Sequence, residues 1–360
     1  MKYLIVQDWP STHGNHAGMV HMCDLLEAKY PSKYEMYIKD SPKTWKYPKT
    51  FLGKVRWHVY DKYAQRNYLN KTYQKEYLML CQPMFKKLKE GDEVFLLEYM
   101  IPWASQYELA CYIREHFPKV KIYALSHLTG KFFDEMIEKE PGLIQKWAKP
   151  VDKLLTLGSS LSSYFKKAGV PRDKISTGFH YVDSDYYKKQ LPIKTLSPLK
   201  VIMMGALQRD YSMLAEVVKK CPDVQWIICR GRKNVDNLFP KTPNVELKGF
   251  LEEDELRHQM DLADISLNVM EDTVGSNVIT TSMAMGLAMI VSDVGSIRDY
   301  CNDKNALFCQ NSVEQFVRAI NKLQSNLPLV MRMKKASLEN SKRLQINKIN
   351  LWLSSEGSIV

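Results

Sequence analysis

The sequence lacks the features that mark membrane-spanning, secreted and zinc-binding proteins. No apolar run approaches the roughly 20 residues that span a bilayer. The short run after Met1 is interrupted by Asp8 and Pro10, so a first strand is expected there and not a signal sequence. The seven cysteines are scattered, odd in number and never in a CxxC pair, which favours buried, reduced thiols. We therefore expect a cytoplasmic protein.

Signatures of nucleic-acid binding and of metal-dependent chemistry are also missing. The sequence has no helix-turn-helix, zinc-finger or RNA-recognition pattern and no internal repeat. No carboxylate pair such as DxD follows a predicted strand, so no metal is expected. The composition, with 45% hydrophobic and 25% charged residues, is typical of a soluble globular protein.

The pattern of apolar runs indicates two α/β domains. At 360 residues the chain is longer than one ordinary core supports. Predicted strands alternate with helical stretches, as in parallel βαβ units. The strands are KYLIVQD, EVFLLEY, VKIYAL and KLLTLG, then LKVIMMG, VQWIICRG, VELKGF, ADISLNV and LAMIVSD. The segment 188–200 carries two prolines and no long apolar run, so it is predicted to be a linker.

Positive charge is concentrated in the first half of the chain. The net charge is +11, and between residues 31 and 75 there are 11 Lys and Arg against three Asp and Glu, interleaved with Tyr and Trp. Such a surface suits anionic lipid headgroups, a phosphorylated acceptor or nucleic acid. A solvated surface above ordinary core aromatics explains the same pattern.

Two loops after predicted strands are candidates for ligand binding, because ligands bind beyond the carboxyl ends of parallel strands. In the first loop, Gly14 and Gly18 let the backbone approach a ligand, and His13 and His16 offer polar contacts. A tight connection without function fits that loop equally well. The second loop runs from Glu271 to Asn277 and leads into the predicted helix NVITTSMAMG.

The start of that helix suits a phosphate. It presents unpaired amides and the positive end of the helix dipole at Gly275, Ser276 and Asn277. An N-cap role for Ser276 or Asn277 is the structural alternative. Arg209 follows strand VIMMG and is placed to reach a diphosphate, unless it is an ordinary surface arginine.

An ordered set of segments resembles the glycosyltransferase group 1 family, also called family 4. The segments are VIMMGALQRDYSMLAEVV, NVELKGFLEEDELRHQMDLADISLNVM and GSNVITTSMAMGLAMIVSDVGSIRDY. The resemblance covers 151–323 well and the N-terminal half in outline. It implies the GT-B fold, α/β with two Rossmann-like doubly wound domains facing a central cleft. The implied parts are an N-terminal acceptor-binding domain at 1–187, the linker at 188–200, a C-terminal nucleotide-sugar-binding domain at 201–340 and a helix at 341–360 packing back on the N-terminal domain.

The sequence departs from the family at two positions. Members usually carry two glutamates, with seven residues between them, flanking the second loop; the matching positions here are Thr273 and Thr281. Thr281 can still hydrogen-bond a ribose hydroxyl, and Glu271 or Asp272 can replace the first carboxylate if the loop is shifted. Alternatively, both threonines only cap or pack the helix and the site is weakened or lost.

The resemblance also assigns roles in transfer from a nucleoside diphosphate sugar with retained anomeric configuration and no cofactor. Arg209 and the amides of Ser276 and Asn277 would stabilise the diphosphate leaving group. The family's second cation, a lysine, is absent, so either Arg209 acts alone or a distant residue such as Arg230 or Arg232 supplies the second charge. Arg230, Gly231 and Thr281 are the candidates for the donor ribose or base.

On the acceptor side, His127 at the end of strand YALS matches a histidine that family members place near the reacting sugar. A structural histidine at a strand end is the alternative. Glu98, after VFLL, is a candidate acid or base, and Asp8 and His16 complete the set.

The predicted function is a hexosyltransferase acting on a glycan or lipid-linked acceptor in polysaccharide biosynthesis. The alternatives are a nucleotide-sugar-binding pseudoenzyme and a sugar-nucleotide epimerase of the same fold. The expected partners are the donor, the acceptor and an anionic membrane at the inner face of the cell, reached peripherally through the basic N-terminal domain. No nucleic acid is expected.

Overall fold

The computed structural model describes residues 1–9, 12–40, 50–56, 69–101, 106–192 and 197–354. They form two α/β units, each built on one six-stranded sheet. The first unit consists of Met1–Leu157, Ser162–Gly178 and Trp352–Val360, and the second of Gly158–Leu161 and Phe179–Leu351. The predicted class, α/β with two doubly wound domains, is confirmed.

All strands of the first sheet are parallel, in the order β2-β1-β3-β4-β5-β6. The strands are β1 Lys2–Gln7, β2 Tyr34–Lys39, β3 Glu93–Leu96, β4 Lys121–Ser126, β5 Lys153–Thr156 and β6 Ile175–Thr177. The helices are Met19–Lys29, Leu69–Leu80, Gln82–Phe85, Gln106–His116, Gly130–Lys139, Leu143–Ala148 and Ser159–Lys167, with a 3₁₀ turn at Arg172–Lys174. The strand order reverses between β1 and β3, where ligands bind in such sheets.

The second sheet is also parallel and has the order β12-β11-β10-β7-β8-β9. Its strands are β7 Lys200–Met204, β8 Gln225–Cys229, β9 Val245–Lys248, β10 Ile265–Asn268, β11 Ala288–Ser292 and β12 Ala306–Cys309. Its helices are Tyr211–Lys220, Glu253–Leu262, Asn277–Ala284, Ile297–Tyr300, Val313–Gln324, Leu327–Ser341 and Ile346–Ser354, with 3₁₀ turns at Asp236–Leu238 and Lys342–Leu344. This order places the switch point between β7 and β10.

Helix Val313–Gln324 shows how the sequence sets the local structure. The Ser312 hydroxyl caps the helix by accepting from the Gln315 amide at 3.3 Å. Phe316, Ala319, Ile320 and Leu323 recur at helical spacing and are all buried. They pack into the core of the second unit with Val201, Leu267 and Ile290 from three of its strands.

The contacts divide the chain after Gly178 and not at the predicted linker 188–200, of which residues 193–196 lie outside the described range. The reason is that residues before the predicted linker and at its start already bond within the second unit. The Val182 amide donates to the Leu344 carbonyl at 2.9 Å, and the Lys189 ammonium lies 3.0 Å from the Asp261 carboxylate.

The end of helix Ile346–Ser354 packs on the first sheet. The Trp352 indole is buried and donates to the Ser176 hydroxyl at 3.1 Å. A Cβ on Gly178 would lie 2.3 Å from the indole, so only glycine leaves room for the ring. The Lys2 ammonium donates to the Leu353 carbonyl at 2.9 Å. Residues 355–360 of the predicted segment 341–360 lie outside the described range, as do 41–49 and 57–68 of the basic stretch.

Candidate functional site

The two loops at the switch point of the second sheet are bonded to each other. The Asp210 amide donates to the Val269 carbonyl at 3.2 Å, and the Glu271 amide donates to the Gln208 carbonyl at 3.0 Å. Between them, Arg209 and Met270 form an antiparallel bridge. The backbone after β7 therefore holds Arg209 against the end of β10.

Arg209 is a buried cation without an acidic partner among the described residues. Its side chain is oriented by two neutral acceptors: Nε donates to the Met204 carbonyl at 3.3 Å, and Nη2 lies 3.5 Å from Oδ1 of Asn268. Arg209 is 9% exposed. Burial lowers the pKa of the guanidinium to about 10, so it remains charged at neutral pH. A buried charge is costly unless an opposite charge offsets it, which makes this position receptive to an anion.

The start of helix Asn277–Ala284 lies beside the same guanidinium. Gly205 is in the left-handed region, with φ +86°, and a Cβ there would lie 3.4 Å from Val278 in the first helical turn and 3.7 Å from Nη2 of Arg209. At the N-cap, Ser276 makes no side-chain capping bond. The amides of Ser276 and Asn277 donate no hydrogen bond to any residue that the structure describes. The structure thus brings together the predicted phosphate-binding residues Arg209, Gly275, Ser276 and Asn277.

The residues between β10 and the helix form a tightly held loop. The Asp272 carboxylate accepts from the Thr273 amide at 2.7 Å, and the Thr273 hydroxyl accepts from the Gly275 amide at 3.3 Å. The Thr273 carbonyl accepts from the Ser296 amide at 2.7 Å. Thr273 is buried, Asp272 is half-buried and Glu271 is exposed. Both predicted replacements for the missing carboxylate, Glu271 and Asp272, therefore present acids at the surface of this loop.

The side chains predicted to bind the ribose or base, or to supply the second cation, already have partners within the second unit. The Thr281 hydroxyl is buried and donates to the Asn277 carbonyl at 2.7 Å. Arg230 forms an ion pair with Asp236 and donates to the Lys233 carbonyl at 2.7 Å. The exposed Arg232 lies over the Phe250 ring at 4.9 Å. The predicted donor-binding roles of Thr281, Arg230 and Gly231 stay predictions, and the two side chains would have to exchange partners to fulfil them.

Asn268 was not predicted as a site residue, although it holds Arg209. Its amide nitrogen donates to the Ser266 hydroxyl at 2.9 Å, and Ser266 accepts from the Ser282 hydroxyl at 2.9 Å. All three side chains are fully buried. The available signal was the pair of polar residues in strand ADISLNV, because a strand buried on both faces normally reads as a continuous apolar run.

In the first unit, the predicted residues Glu98 and His127 form a pair. Glu98 follows β3 and His127 follows β4, and His127 Nε2 lies 3.0 Å from a carboxylate oxygen of Glu98. The carboxylate is 1% exposed and the imidazole 24% exposed. Burial lowers the pKa of His127 and the charge of Glu98 raises it, and the net result is a raised pKa.

The loop after β1 carries the remaining candidates of the first unit. Gly14 has φ +73°, and a Cβ on Gly18 would lie 3.0 Å from the Asn15 carbonyl, so the turn depends on both glycines. The His16 and His21 rings are 4.3 Å apart. The Asp8 carboxylate lies 2.5 Å from His13 Nδ1. This loop lies at the same sheet edge as the Glu98–His127 pair, because β1, β3 and β4 are successive strands in the sheet.

The same segment that contains the Arg209 site matches a known family. Residues 199–326 match the family model described as "Glycosyl transferases group 1", which confirms the predicted resemblance for this part of the chain. Among curated protein sequences, none is significantly similar to this chain.

The solved structures that resemble the whole chain show that its fold is GT-B. HepE from Anabaena in complex with UDP is 13% identical, with a TM-score of 0.67 and 99% of each chain covered. Sucrose-phosphate synthase from Thermosynechococcus elongatus is 12% identical, with a TM-score of 0.71 over 99% of this chain and 98% of its own. The lipopolysaccharide outer core galactosyltransferase WaaB is 15% identical, with a TM-score of 0.66 over 99% and 100%.

No helix among the described residues is both long and apolar enough to cross a bilayer.

Proposed function

Because residues 199–326 match the glycosyl transferases group 1 and the fold is GT-B, we propose that this protein transfers a sugar from a nucleoside diphosphate sugar to a glycan or lipid-linked acceptor. The observation that carries the proposal is Arg209, a buried guanidinium with no acidic partner among the described residues, beside the open start of helix Asn277–Ala284. Arg209 supplies a full positive charge, and the helix supplies amides and a dipole. A diphosphate meets both needs.

In the proposed reaction, negative charge develops on the diphosphate as the bond to the sugar breaks. Donors that are already oriented stabilise such charge without reorganisation. Arg209 is oriented by Met204 and Asn268, and the amides of Ser276 and Asn277 are fixed by the helix. We propose that these groups act without a metal or another cofactor and that the anomeric configuration is retained, as the family resemblance implies. Activity unchanged by a chelator would support metal independence, and its loss would refute it.

A binding protein without transferase activity is the second candidate, favoured by one observation. The two positions that hold glutamate in the family hold threonines here, and the hydroxyls of Thr273 and Thr281 bond within the loop and the helix. Under the transferase proposal, Asp272 or Glu271 takes the place of the first carboxylate. Donor binding with no sugar transfer in any acceptor screen would favour the binding protein.

We further propose that the first unit binds the acceptor at the inner face of the cell membrane, in surface polysaccharide synthesis. The net charge of the basic stretch 31–75 supports this proposal. Phe51 and Leu52, both 81% exposed, lie next to Lys54 and Arg56 in that stretch. Insertion of exposed apolar side chains together with attraction of cations to anionic headgroups binds proteins peripherally. Vesicle binding that is equal for neutral and anionic lipids would refute this part.

The first test is a thermal-shift and calorimetric screen of UDP-, GDP-, ADP- and dTDP-sugars. A ligand at about 100 times its Kd stabilises the folded state by about 2.7 kcal/mol, or about 5–10 °C in Tm. We expect one sugar nucleotide to do so, and Arg209→Ala to abolish the effect. Arg318→Ala is the matched control, because Arg318 is exposed on helix Val313–Gln324 and should leave the shift unchanged. Stabilisation by none of them would overturn the proposal.

A further inference from the structure

The Glu98–His127 pair has a geometry that fixes which ring nitrogen meets a substrate. His127 Nε2 lies 3.0 Å from Glu98, and Nδ1 has no hydrogen-bond partner among the residues that the structure describes. The carboxylate is buried, while about a quarter of the imidazole is exposed. The ring therefore has one nitrogen turned to a fixed anion and the other available.

Glu98 is itself held in place by the scaffold. Its amide donates to the Gln106 side-chain oxygen at 2.8 Å, and the Gln106 side-chain nitrogen donates to the Ile5 carbonyl at 3.2 Å. Gln106 is 1% exposed. This chain of bonds ties the residue after β3 to β1, on the two strands that flank the switch point of the first sheet.

The proton on Nε2 decides what Nδ1 can do. A neutral ring with its proton on Nε2, the nitrogen that faces Glu98, leaves Nδ1 as an acceptor, whereas the imidazolium carries a proton on both nitrogens. Glu98 is the only charged group, among the described residues, that acts on the pKa of His127, and it raises that pKa. A buried anion on one side of the ring thus favours the charged, donating form.

We propose that Glu98 is a positioning residue for the sugar transfer: it holds His127 as an imidazolium whose Nδ1–H donates to a substrate oxygen. This inference rests on the proposed function and deepens it. The structural alternative, a histidine that only packs at a strand end, does not require a defined charge state. A general base at Nδ1 would require the opposite charge state, a neutral ring with Nδ1 unprotonated.

The test measures the ring directly and then the reaction. Long-range ¹H–¹⁵N NMR gives the pKa and tautomer of His127 in the free protein, where Glu98→Gln should lower the pKa by about one unit or more. Glu98→Asp, which keeps the charge, should retain most of the rise in the pKa of His127. It provides a second test of the pairing if Glu98→Gln misfolds. Asp8→Asn is the matched control, because Asp8 pairs with His13 at the same sheet edge and its loss should leave His127 unchanged.

The rate should then depend on the charged ring. We expect kcat/KM for the sugar nucleotide found in the donor screen to fall as pH rises through the pKa of His127, and Glu98→Gln to move that fall to lower pH by the same amount as in NMR. An unchanged pKa in Glu98→Gln would refute the pairing. If Glu98→Gln lowers the pKa of His127 but leaves the pH dependence of kcat/KM unchanged, the pair is only a structural contact and the positioning role is refuted.

Failure of this inference is distinguishable from failure of the proposed function. If the donor binds at Arg209 and is transferred normally while NMR shows a neutral His127 at neutral pH, only the role of Glu98 is overturned. If no sugar nucleotide is bound or transferred, the proposed function fails and this role fails with it, whatever the NMR titration gives.

Discussion

Replacing Gly295 by alanine is expected to destabilise the second unit by about 2–5 kcal/mol and to weaken donor binding. Gly295 has φ +53°, a region that costs an L-residue about 1–2 kcal/mol. The new Cβ would lie 2.1 Å from the Thr273 carbonyl oxygen and 2.5 Å from a carboxylate oxygen of Asp272. Because the first obstacle is backbone, the loop has to shift, and such overpacking costs about 1–3 kcal/mol more.

Two other glycines in the same unit separate these contributions. Gly231 has φ +63° but its Cβ would meet only Ala206, at 4.0 Å, so Gly231→Ala should show the conformational cost alone. Gly249 has no atom within 4 Å of an added Cβ and no positive φ, so Gly249→Ala should be nearly neutral. Urea unfolding gives the free energy of unfolding of each variant, and calorimetry with the sugar nucleotide found in the donor screen gives its affinity.

The relative losses of stability in the three variants show whether contact with the Thr273 carbonyl contributes to the effect of Gly295→Ala. A loss of stability in Gly295→Ala that is no larger than in Gly231→Ala would show that the Thr273 carbonyl moves freely. The loop after β10 would then not be held by Gly295, and its shape could not explain the placing of Asp272. Unchanged binding of that sugar nucleotide by a destabilised Gly295→Ala variant would place the diphosphate away from this loop.

Three further predictions concern buried polar groups. Lys334→Met should lower the free energy of unfolding by about 3–5 kcal/mol, because it leaves the buried Asp264, 2.9 Å from the ammonium, without its cationic partner. Adding Asp264→Asn should recover much of that loss, and urea unfolding that shows no recovery would contradict the ion-pair explanation. Because its pKa is raised, His127 should stabilise the fold at about pH 6, and this gain should be lost as pH rises through the folded pKa. Glu98→Gln should remove this pH dependence. Equal slopes of unfolding free energy against pH in the wild type and Glu98→Gln would refute the prediction. Asn268→Ala should weaken binding of the sugar nucleotide found in the donor screen about tenfold, because it releases the buried arginine beside it. Calorimetry showing wild-type affinity would exclude that support role.

The sequence predicted the central strands of both sheets and missed most of the edge strands. β2, β6 and β12, none of which was predicted, lie at sheet edges. Central parallel strands are covered by helices on both faces and read as continuous apolar runs, whereas an edge strand is partly exposed and carries polar residues. YEMYIK of β2 and the three-residue IST of β6 have no such run, whereas ALFC of β12 is apolar but only four residues long.

The sequence identified individual residues of the candidate sites but not which of them contact each other. Arg209 and the start of helix Asn277–Ala284 follow strands, so the rule about carboxyl ends found them. Glu98 and His127 were each singled out, but they follow different strands, and no spacing along the chain reveals that they meet. Arg230 shows a different limit of the sequence. The resemblance assigned its charge to the donor, but in the structure Arg230 forms an ion pair with the nearby Asp236.

The indole of Trp352, which fills the space above Gly178, has a consequence for the order of folding during synthesis. Six strands of the first sheet have left the ribosome once residue 178 has emerged, yet the ring that covers this edge arrives 174 residues later, counting from 178 to 352. Until then the nascent first unit exposes an apolar surface to other chains and to chaperones. We expect the first unit to reach full protease resistance only after the second unit has been translated.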